Sequence, residues 1–156
     1  MLTEYRGSIS GKGIKIGVVV SRFNEVVTKH LLSGALECFE QHNADMNLIA
    51  VYWVPGSFEI PKIAKTAAES GKYDGILCLG AVIRGDTPHF DYIAAEVTKV
   101  IAQINLQISI PVVYGVLTTD TVEQAVDRSG AKSGNKGWDA AVTLLEMIDL
   151  LKKVKK

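Results

Sequence analysis

The chain has 156 residues, and its 17 Lys and Arg residues balance its 17 Asp and Glu residues, so the formal net charge is zero. This length is typical of one domain with a sizeable core, and we expect a single domain over residues 1–156. Because no basic stripe is present, nucleic-acid binding is not expected. No apolar run is long enough to cross a membrane, and the N-terminus lacks the apolar core of a signal peptide.

The cysteines and histidines show no metal-binding spacing. The chain has 2 Cys and 3 His, and they are scattered, so we expect no metal site. Cys38 falls in a helical pattern and Cys78 in an apolar run, so both are expected to be reduced core residues of a cytoplasmic protein. Hydrophobic residues make up 47% of the chain, which favours burial of some apolar surface between identical subunits.

The first part of the chain predicts a polar arm, two strands and one helix. Residues 1–12 are polar, and we expect an N-terminal arm or edge strand that pairs with a neighbouring subunit. The β-branched run Ile14–Val20 predicts a strand that is buried on both faces. Asn24 is positioned to cap a helix that the apolar spacing extends to about His42. A second strand is predicted over Asn47–Val54.

The middle of the chain predicts a helix, a third strand and a long second helix. A Pro-Gly-Ser segment ends the second strand and places Ser57 near the cap of a helix over Phe58–Ser70. Gly75–Leu79 predicts the third strand, and Gly80–His89 is expected to form the turn that follows it. Apolar residues then recur at helical spacing over Ile93–Ile108.

The remaining residues continue the alternation. Val112–Leu117 predicts a fourth strand, and Thr118–Thr121 is expected to cap a helix that ends near Arg128. Either Asn135 or Gly137 begins a last helix that runs almost to the C-terminus. Alternating strands and helices predict an α/β fold with a flavodoxin-like, doubly wound parallel β-sheet and helices on both faces, in three α/β/α layers.

In open parallel sheets, ligands bind beyond the carboxyl ends of the strands. The four loops at that edge are predicted to be Arg22–Asn24, Pro55–Glu59, Gly80–His89 and Thr118–Asp120. The unusual residues of the chain therefore gather at one edge of the sheet.

The turn Gly80–His89 has the composition of an anion site. A strand followed by a helix directs free backbone N–H groups and a positive helix end at one point, which suits a phosphate. Thr87 adds a hydroxyl donor, and His89 is positioned for proton transfer near neutral pH. An ordinary loop with a Thr or Asp cap explains the same residues equally well, so both interpretations stay open at this point.

Other residues at this edge also have two interpretations. Phe23 and Phe58 can stack on a flat ring, although packing under a loop is the commoner role of a phenylalanine. Glu59 can bind a polar ring edge, or it can simply favour the first turn of a helix. Arg84 can form a salt bridge within the turn, and Asp86 can assist a phosphate only through its backbone.

Several long motifs occur in one order along nearly the whole chain. They are Ser21–Asn24, Val54–Pro61, Gly80–Tyr92, Pro111–Asp120, Glu123–Ala125, Arg128 and Asn135–Gly137. Together they resemble the 6,7-dimethyl-8-ribityllumazine synthase family, whose members catalyse the penultimate step of riboflavin biosynthesis. The resemblance implies a transferase that condenses 5-amino-6-(D-ribitylamino)uracil with 3,4-dihydroxy-2-butanone 4-phosphate to give 6,7-dimethyl-8-ribityllumazine, phosphate and water. The substrates supply the reactive amine and ketone, so no cofactor is expected.

The resemblance also implies roles for individual residues. His89 and Arg128 would be catalytic, with His89 transferring protons and Arg128 holding the phosphate. Phe23 would stack on the pyrimidine. Tyr114 and Arg128 would line the pocket from a neighbouring subunit, and Lys136 would lie near the phosphate end. The implied substrate-binding residues are Phe23, Ser57, Phe58, Glu59, Ala81, Val82, Ile83, Gly85, Asp86, Thr87, Tyr114, Arg128 and Lys136.

The family implies an assembly as well. Tyr114 lies within a strand, away from its own chain's binding edge, and family members solve this by forming pentamers with sites between adjacent subunits. Some members remain pentamers, and others close into an icosahedral sixty-subunit shell around riboflavin synthase. The compact loop Ser129–Gly137 lacks the insertion of pentamer-only members, so we expect a homopentamer assembled into the shell.

Two positions depart from the family pattern. Tyr114 brings a hydroxyl to a place that is often apolar, and Asp86 replaces a residue that is often small.

A non-catalytic shell or flavin-binding protein of the same fold is disfavoured because Thr87, His89 and Arg128 are all present. A Schiff-base sugar-phosphate enzyme is disfavoured because the turn Gly80–His89 has no lysine.

Overall fold

A computed structural model describes residues 1–156. It contains four strands and five helices that alternate along most of the chain, together with two short 3₁₀ turns at Met46–Leu48 and Ser57–Glu59. The elements are β1 (Ile16–Ser21), α1 (Glu25–Gln41), β2 (Ile49–Val54), α2 (Ile60–Glu69), β3 (Gly75–Ile83), α3 (His89–Gln107), β4 (Val112–Thr119), α4 (Val122–Asp127) and α5 (Lys136–Lys155).

The four strands form one parallel sheet in the order β2-β1-β3-β4. All six residues of β1 are buried, as are the first eight residues of β3, because helices cover both faces of the two central strands. The doubly wound, three-layer α/β/α fold expected from the sequence is therefore confirmed.

Each face of the sheet carries its own core. α1 and α5 cover one face, where 19 buried residues surround Phe39, Leu79 and Leu144. α2 and α3 cover the other face, where 14 buried residues surround Ile60 and Ile101. Burying a large apolar side chain contributes about 1.5–3 kcal/mol, so the two cores hold the helices rigidly on the sheet.

The third and fourth strands are longer than the sequence predicted. β3 was expected to end at Leu79, but it continues to Ile83, and β4 continues to Thr119. The two extensions pair with each other, Ile83 opposite Thr119. Gly80 does not end β3, because it pairs with Val116 and the pairing with β4 continues beyond it. Its missing side chain leaves room for the Ser57 Oγ atom, 2.7 Å from where a Cβ would lie. The turn before α3 is consequently shorter than predicted.

The polar segment at the N-terminus forms no strand in this structure and lies along α5 of its own chain. The amide of Ser8 donates a 2.7 Å hydrogen bond to Oδ2 of Asp149, and Nζ of Lys153 donates a 2.7 Å bond to the Arg6 carbonyl. Nζ of Lys153 also lies 2.9 Å from Oδ2 of Asp149. The Ser8 bond, and after it the Lys153 contact, lowers the pKa of the Asp149 carboxyl from its ordinary value.

We expect the arm to detach from α5 when the Asp149 carboxylate is lost. Because the folded-state pKa is lowered, the stabilisation is present above the ordinary carboxyl pKa and disappears as the pH falls through the lowered one. Asp149→Asn should therefore speed hydrogen exchange around Ser8 at neutral pH, as measured by mass spectrometry of an N-terminal peptide. Glu146→Gln, on the same helix but without such a bond, is the matched control. Equal exchange in both variants would contradict this role of Asp149.

Both cysteines are buried, one in each core. Burial raises the pKa of the Cys38 thiol to about 11 and that of Cys78 to about 12, so both thiols stay protonated at neutral pH. None of the helices combines the length and the apolar character needed to cross a membrane.

Candidate active site

A cavity of about 530 Å³ opens beyond the carboxyl ends of β1 and β3. We call it the main cavity. It is lined by residues from the loops after β1, β2 and β3 and from the first turns of α3. Ten of the predicted site residues lie in its wall: Phe23, Ser57, Phe58, Glu59, Ala81, Val82, Ile83, Gly85, Thr87 and His89.

Two phenylalanines are unusually exposed at the main cavity. The exposed fraction is 69% for Phe23 and 60% for Phe58, so neither side chain is packed under a loop. The backbone holds Phe23 in place, since its N–H donates a 3.0 Å bond to the Pro55 carbonyl. Two exposed rings beside a cavity offer flat apolar surface to a planar ligand.

Asn24 has a different role from the one predicted. It stands at the N-cap of α1, but its backbone is left-handed (φ 62°, ψ 44°) and its side chain makes no cap bond. Instead, Nδ2 of Asn24 donates a 3.0 Å hydrogen bond to the Ala81 carbonyl. This bond fixes the loop that carries Phe23 against the end of β3.

The end of β3 presents free backbone groups to the main cavity. The pairing of β3 with β1 ends at Leu79, whereas the pairing with β4 continues to Ile83. The backbone edge of Ala81–Ile83 on the β1 side therefore has no strand partner, although the Ala81 carbonyl is occupied by its bond from Asn24. Unpaired N–H and C=O groups in fixed positions can bind the complementary edge of a heterocycle.

Two buried hydroxyl groups lie near Gly80 with no hydrogen-bond partner in the protein. They belong to Ser21 and Ser57, whose Oγ atoms would lie 3.1 and 2.7 Å from a Cβ on Gly80. Ser57 also lines the main cavity, and its predicted cap bond does not form. Leaving a buried hydroxyl unpaired costs about 1–3 kcal/mol, so a ligand or water that bonds to Ser57 would recover that energy.

The loop between β3 and α3 is exposed and begins with Arg84. Gly85 and Thr87 line the main cavity, whereas Asp86, also predicted as a site residue, is exposed and does not line it. No side chain caps α3, so the Thr or Asp cap that the sequence left open is absent. The free N–H groups at the start of a helix of 19 residues remain available for an anion. His89 is the first residue of that helix.

Arg84 forms ion pairs, but its partners lie outside the turn Gly80–His89 in which the sequence placed the salt bridge. Its Nε donates a 2.9 Å bond to Asp120, its Nη1 lies 3.3 Å from Asp91, and its guanidinium carbon lies 4.4 Å from the centre of the Phe90 ring. The hydrogen bond to Asp120 raises the pKa of Arg84 above its ordinary value.

The remaining predicted residues lie on a second surface along the free edge of β4. This edge surface contains a cavity of about 370 Å³ lined in part by Tyr114, Arg128 and Lys136. Its lining shares no residue with that of the main cavity. The Tyr114 hydroxyl is within 2.9 Å of Oγ1 of Thr98, and Nη1 of Arg128 donates a 3.2 Å bond to the Gln124 carbonyl.

Comparison with known proteins identifies the family of the chain. Residues 13–152 match the 6,7-dimethyl-8-ribityllumazine synthase family. The chain belongs to this family. The match spans both the main cavity and the edge surface, and it confirms the lumazine synthase function in riboflavin biosynthesis that the motifs predicted. Family membership also agrees with the flavodoxin-like sheet described above.

Four residues that line the main cavity were not among the predicted site residues, namely Asn24, Gly56, Phe90 and Ile93. Asn24 carried a signal, because asparagine tolerates left-handed backbone in a loop at the binding edge. Ile93 was predicted only as part of the apolar pattern of α3, and Phe90 only as part of the motif Gly80–Tyr92. Their position at the mouth of the cavity depends on how α3 packs, which the sequence pattern does not specify.

Proposed function

We propose that this lumazine synthase uses the main cavity to hold both substrates and the edge surface of a neighbouring subunit to complete the phosphate end. The observation that carries the proposal is the combination, in one cavity, of exposed phenyl rings, a free strand edge and an uncapped helix start. Each of these features suits a different part of the two substrates.

The pyrimidine substrate fits the inner part of the cavity. We assign the ring to Phe23, where a planar heterocycle gains stacking energy of about 0.5–1.5 kcal/mol. The backbone of Ala81–Ile83 then bonds to the polar edge of the ring. The ribityl chain, which carries hydroxyl groups, extends to Ser57, Phe58 and Glu59, where a carboxylate and an unpaired hydroxyl accept and donate hydrogen bonds.

The butanone phosphate fits the mouth of the cavity. Its phosphate bonds to the backbone of Gly85 and Asp86, to the Thr87 hydroxyl and to the start of α3. Arg128 of the neighbouring subunit completes the phosphate site as a planar donor, and Lys136 adds positive charge nearby. Tyr114 of the same neighbour covers the open side of the pyrimidine.

The chemistry follows from this arrangement. The ring amine attacks the ketone, water leaves to give an imine, phosphate is eliminated, and the second amine closes the ring with loss of water. His89 transfers protons at the reacting atoms. Most of the acceleration comes from holding two reactants together, which lowers a barrier by about 7–11 kcal/mol at best.

The assembly that this proposal requires is a homopentamer. The edge surface and the main cavity share no lining residue, so a ring that brings one against the other assembles the full set of groups. We further propose that pentamers close into an icosahedral shell in the cytoplasm, able to enclose riboflavin synthase, because the loop Ser129–Gly137 is compact. Light scattering after size exclusion distinguishes shell, pentamer and monomer.

The direct test mixes the purified protein with both substrates and follows lumazine fluorescence. A blank without protein is essential because the condensation also proceeds slowly unaided. Acceleration that requires the phosphate group of the butanone supports the proposal. Absence of acceleration in a protein that is assembled and binds riboflavin would reject it in favour of a flavin-binding shell protein.

A further inference from the structure

The loop that is proposed to bind phosphate has few internal restraints. All of its residues from Arg84 to Pro88 are exposed. The Arg84 amide bonds to the Thr119 carbonyl at 2.8 Å, and the Asp91 amide bonds to the Pro88 carbonyl at 3.0 Å. Between these two ends, no side chain of Gly85–Pro88 forms a hydrogen bond within the protein. Its conformation therefore depends on what anchors its ends.

Arg84 anchors the loop to two different elements at once through three contacts. Its guanidinium bonds to Asp120 in the loop after β4, pairs with Asp91 in the first turn of α3, and stacks on Phe90 of the same turn. Phe90 in turn lines the main cavity next to His89. A planar fork that contacts a carboxylate on either side and a ring beneath it has little freedom to move.

The positive charge of Arg84 is already neutralised by the two carboxylates that it contacts. Two carboxylates lie within 3.3 Å of its nitrogens, so the local charge is not positive in sum. Arg128 differs, because its side chain bonds only to a backbone carbonyl and forms no salt bridge. The guanidinium of Arg128 is therefore available to bind a phosphate, whereas that of Arg84 is occupied by carboxylates.

We propose that Arg84 is a positioning residue, which orders the loop Gly85–Pro88 and the His89 turn for the phosphate-bearing substrate without binding the phosphate itself. This inference rests on the proposed function, and it assigns to Asp91 and Asp120 the role of holding Arg84 in place. A positioning role and direct binding of the phosphate by Arg84 predict opposite effects when a carboxylate is removed. If Arg84 positions the loop, losing Asp120 weakens phosphate-substrate binding, whereas a phosphate-binding Arg84 would be released and would bind more tightly.

The test measures steady-state kinetics with each substrate varied in turn. Arg84→Gln should raise KM for the butanone phosphate by about five- to tenfold, the scale of two exposed ion pairs and one cation–π contact. KM for the pyrimidine substrate should change by less than about twofold, since its proposed contacts lie elsewhere. Asp120→Asn should raise KM for the phosphate substrate by about two- to threefold. The KM of Arg84→Lys for the butanone phosphate should lie between the values of wild type and Arg84→Gln, because lysine keeps the charge but lacks the planar fork.

Arg6→Gln is the matched control, since Arg6 also pairs with a carboxylate but lies on the N-terminal arm. A lower KM in Asp120→Asn, or an Arg84→Lys variant equal to wild type, would overturn the inference. So would equal increases in both KM values, which would indicate a general structural role. An inactive wild-type protein would reject the proposed function instead, and an active one with an unchanged Arg84→Gln variant would reject this inference alone.

Discussion

Replacing Arg128 with alanine is expected to lower kcat/KM by about 10²–10³-fold, the usual loss when a preorganised group that stabilises developing charge is removed. His89→Ala is expected to lower it by only about tenfold, below the ~10²–10⁴ range of general acid–base catalysis. The difference arises because water in an open cavity can carry protons, whereas nothing else supplies a forked cation to the departing phosphate.

The structure gives Arg128 the properties that this role requires. It follows α4 directly, is half-buried, and bonds only to the Gln124 carbonyl, so most of its donors remain available. Arg128→Lys should retain part of the activity, because lysine keeps the charge but cannot bind two phosphate oxygens as a planar fork. Initial rates of lumazine formation with both substrates varied provide the measurement, and size exclusion shows whether each variant still assembles. Equal and nearly complete losses in Arg128→Ala and His89→Ala would contradict an enzyme that works mainly by positioning.

The largest loss of stability is expected at Gly137. This residue is buried in the first turn of α5, and a Cβ atom there would overlap the carbonyl oxygen of Leu31 on α1. Because the obstacle is backbone, the two helices must separate to admit a methyl group. Asn135 makes that separation costly, since its side chain bonds to the His30 carbonyl at 2.9 Å and to the Gly137 amide at 2.8 Å.

Gly137→Ala should therefore lower the free energy of unfolding by about 1–3 kcal/mol, the range for overpacked cores. For a domain of this size each kcal/mol corresponds to a fall in Tm of about 2–4 °C, so thermal unfolding followed by circular dichroism resolves the effect. Gly85→Ala is the control, because no atom lies within 4 Å of the added Cβ. Equal Tm values for the two variants would show that the close approach of α1 and α5 does not limit stability.

The sequence predicted the architecture well because its signals are local. The β-branched run of β1 and the apolar spacing of α3 each define an element without knowledge of the rest of the chain. The last helix was also anticipated, and the structure decides between the two possible starts in favour of Asn135, whose Oδ1 accepts from the amides of Gly137 and Trp138.

What the sequence could not predict depends on contacts between distant segments. Gly80 was interpreted as the end of β3, yet pairing with β4 carries the strand on to Ile83. Asn24 was expected to cap a helix, but its side chain instead donates a hydrogen bond to the Ala81 carbonyl, 57 positions away. The engagement of Arg84 with Asp120 likewise joins residues 36 positions apart. The family resemblance implied that Arg128 lies apart from the main cavity of its own chain, but no local pattern around Arg128 predicts it.

The two outer strands of the sheet also affect what happens to chains before they assemble. β2 and β4 each leave one row of backbone N–H and C=O groups without a strand partner. Trp53 on β2 and Tyr114 on β4 remain 40% and 38% exposed beside these rows. Such edges are templates for irregular pairing, so aggregation competes with ordered assembly for the same surfaces. A variant that cannot assemble is therefore expected to be lost as aggregate during synthesis rather than to accumulate as a stable single chain.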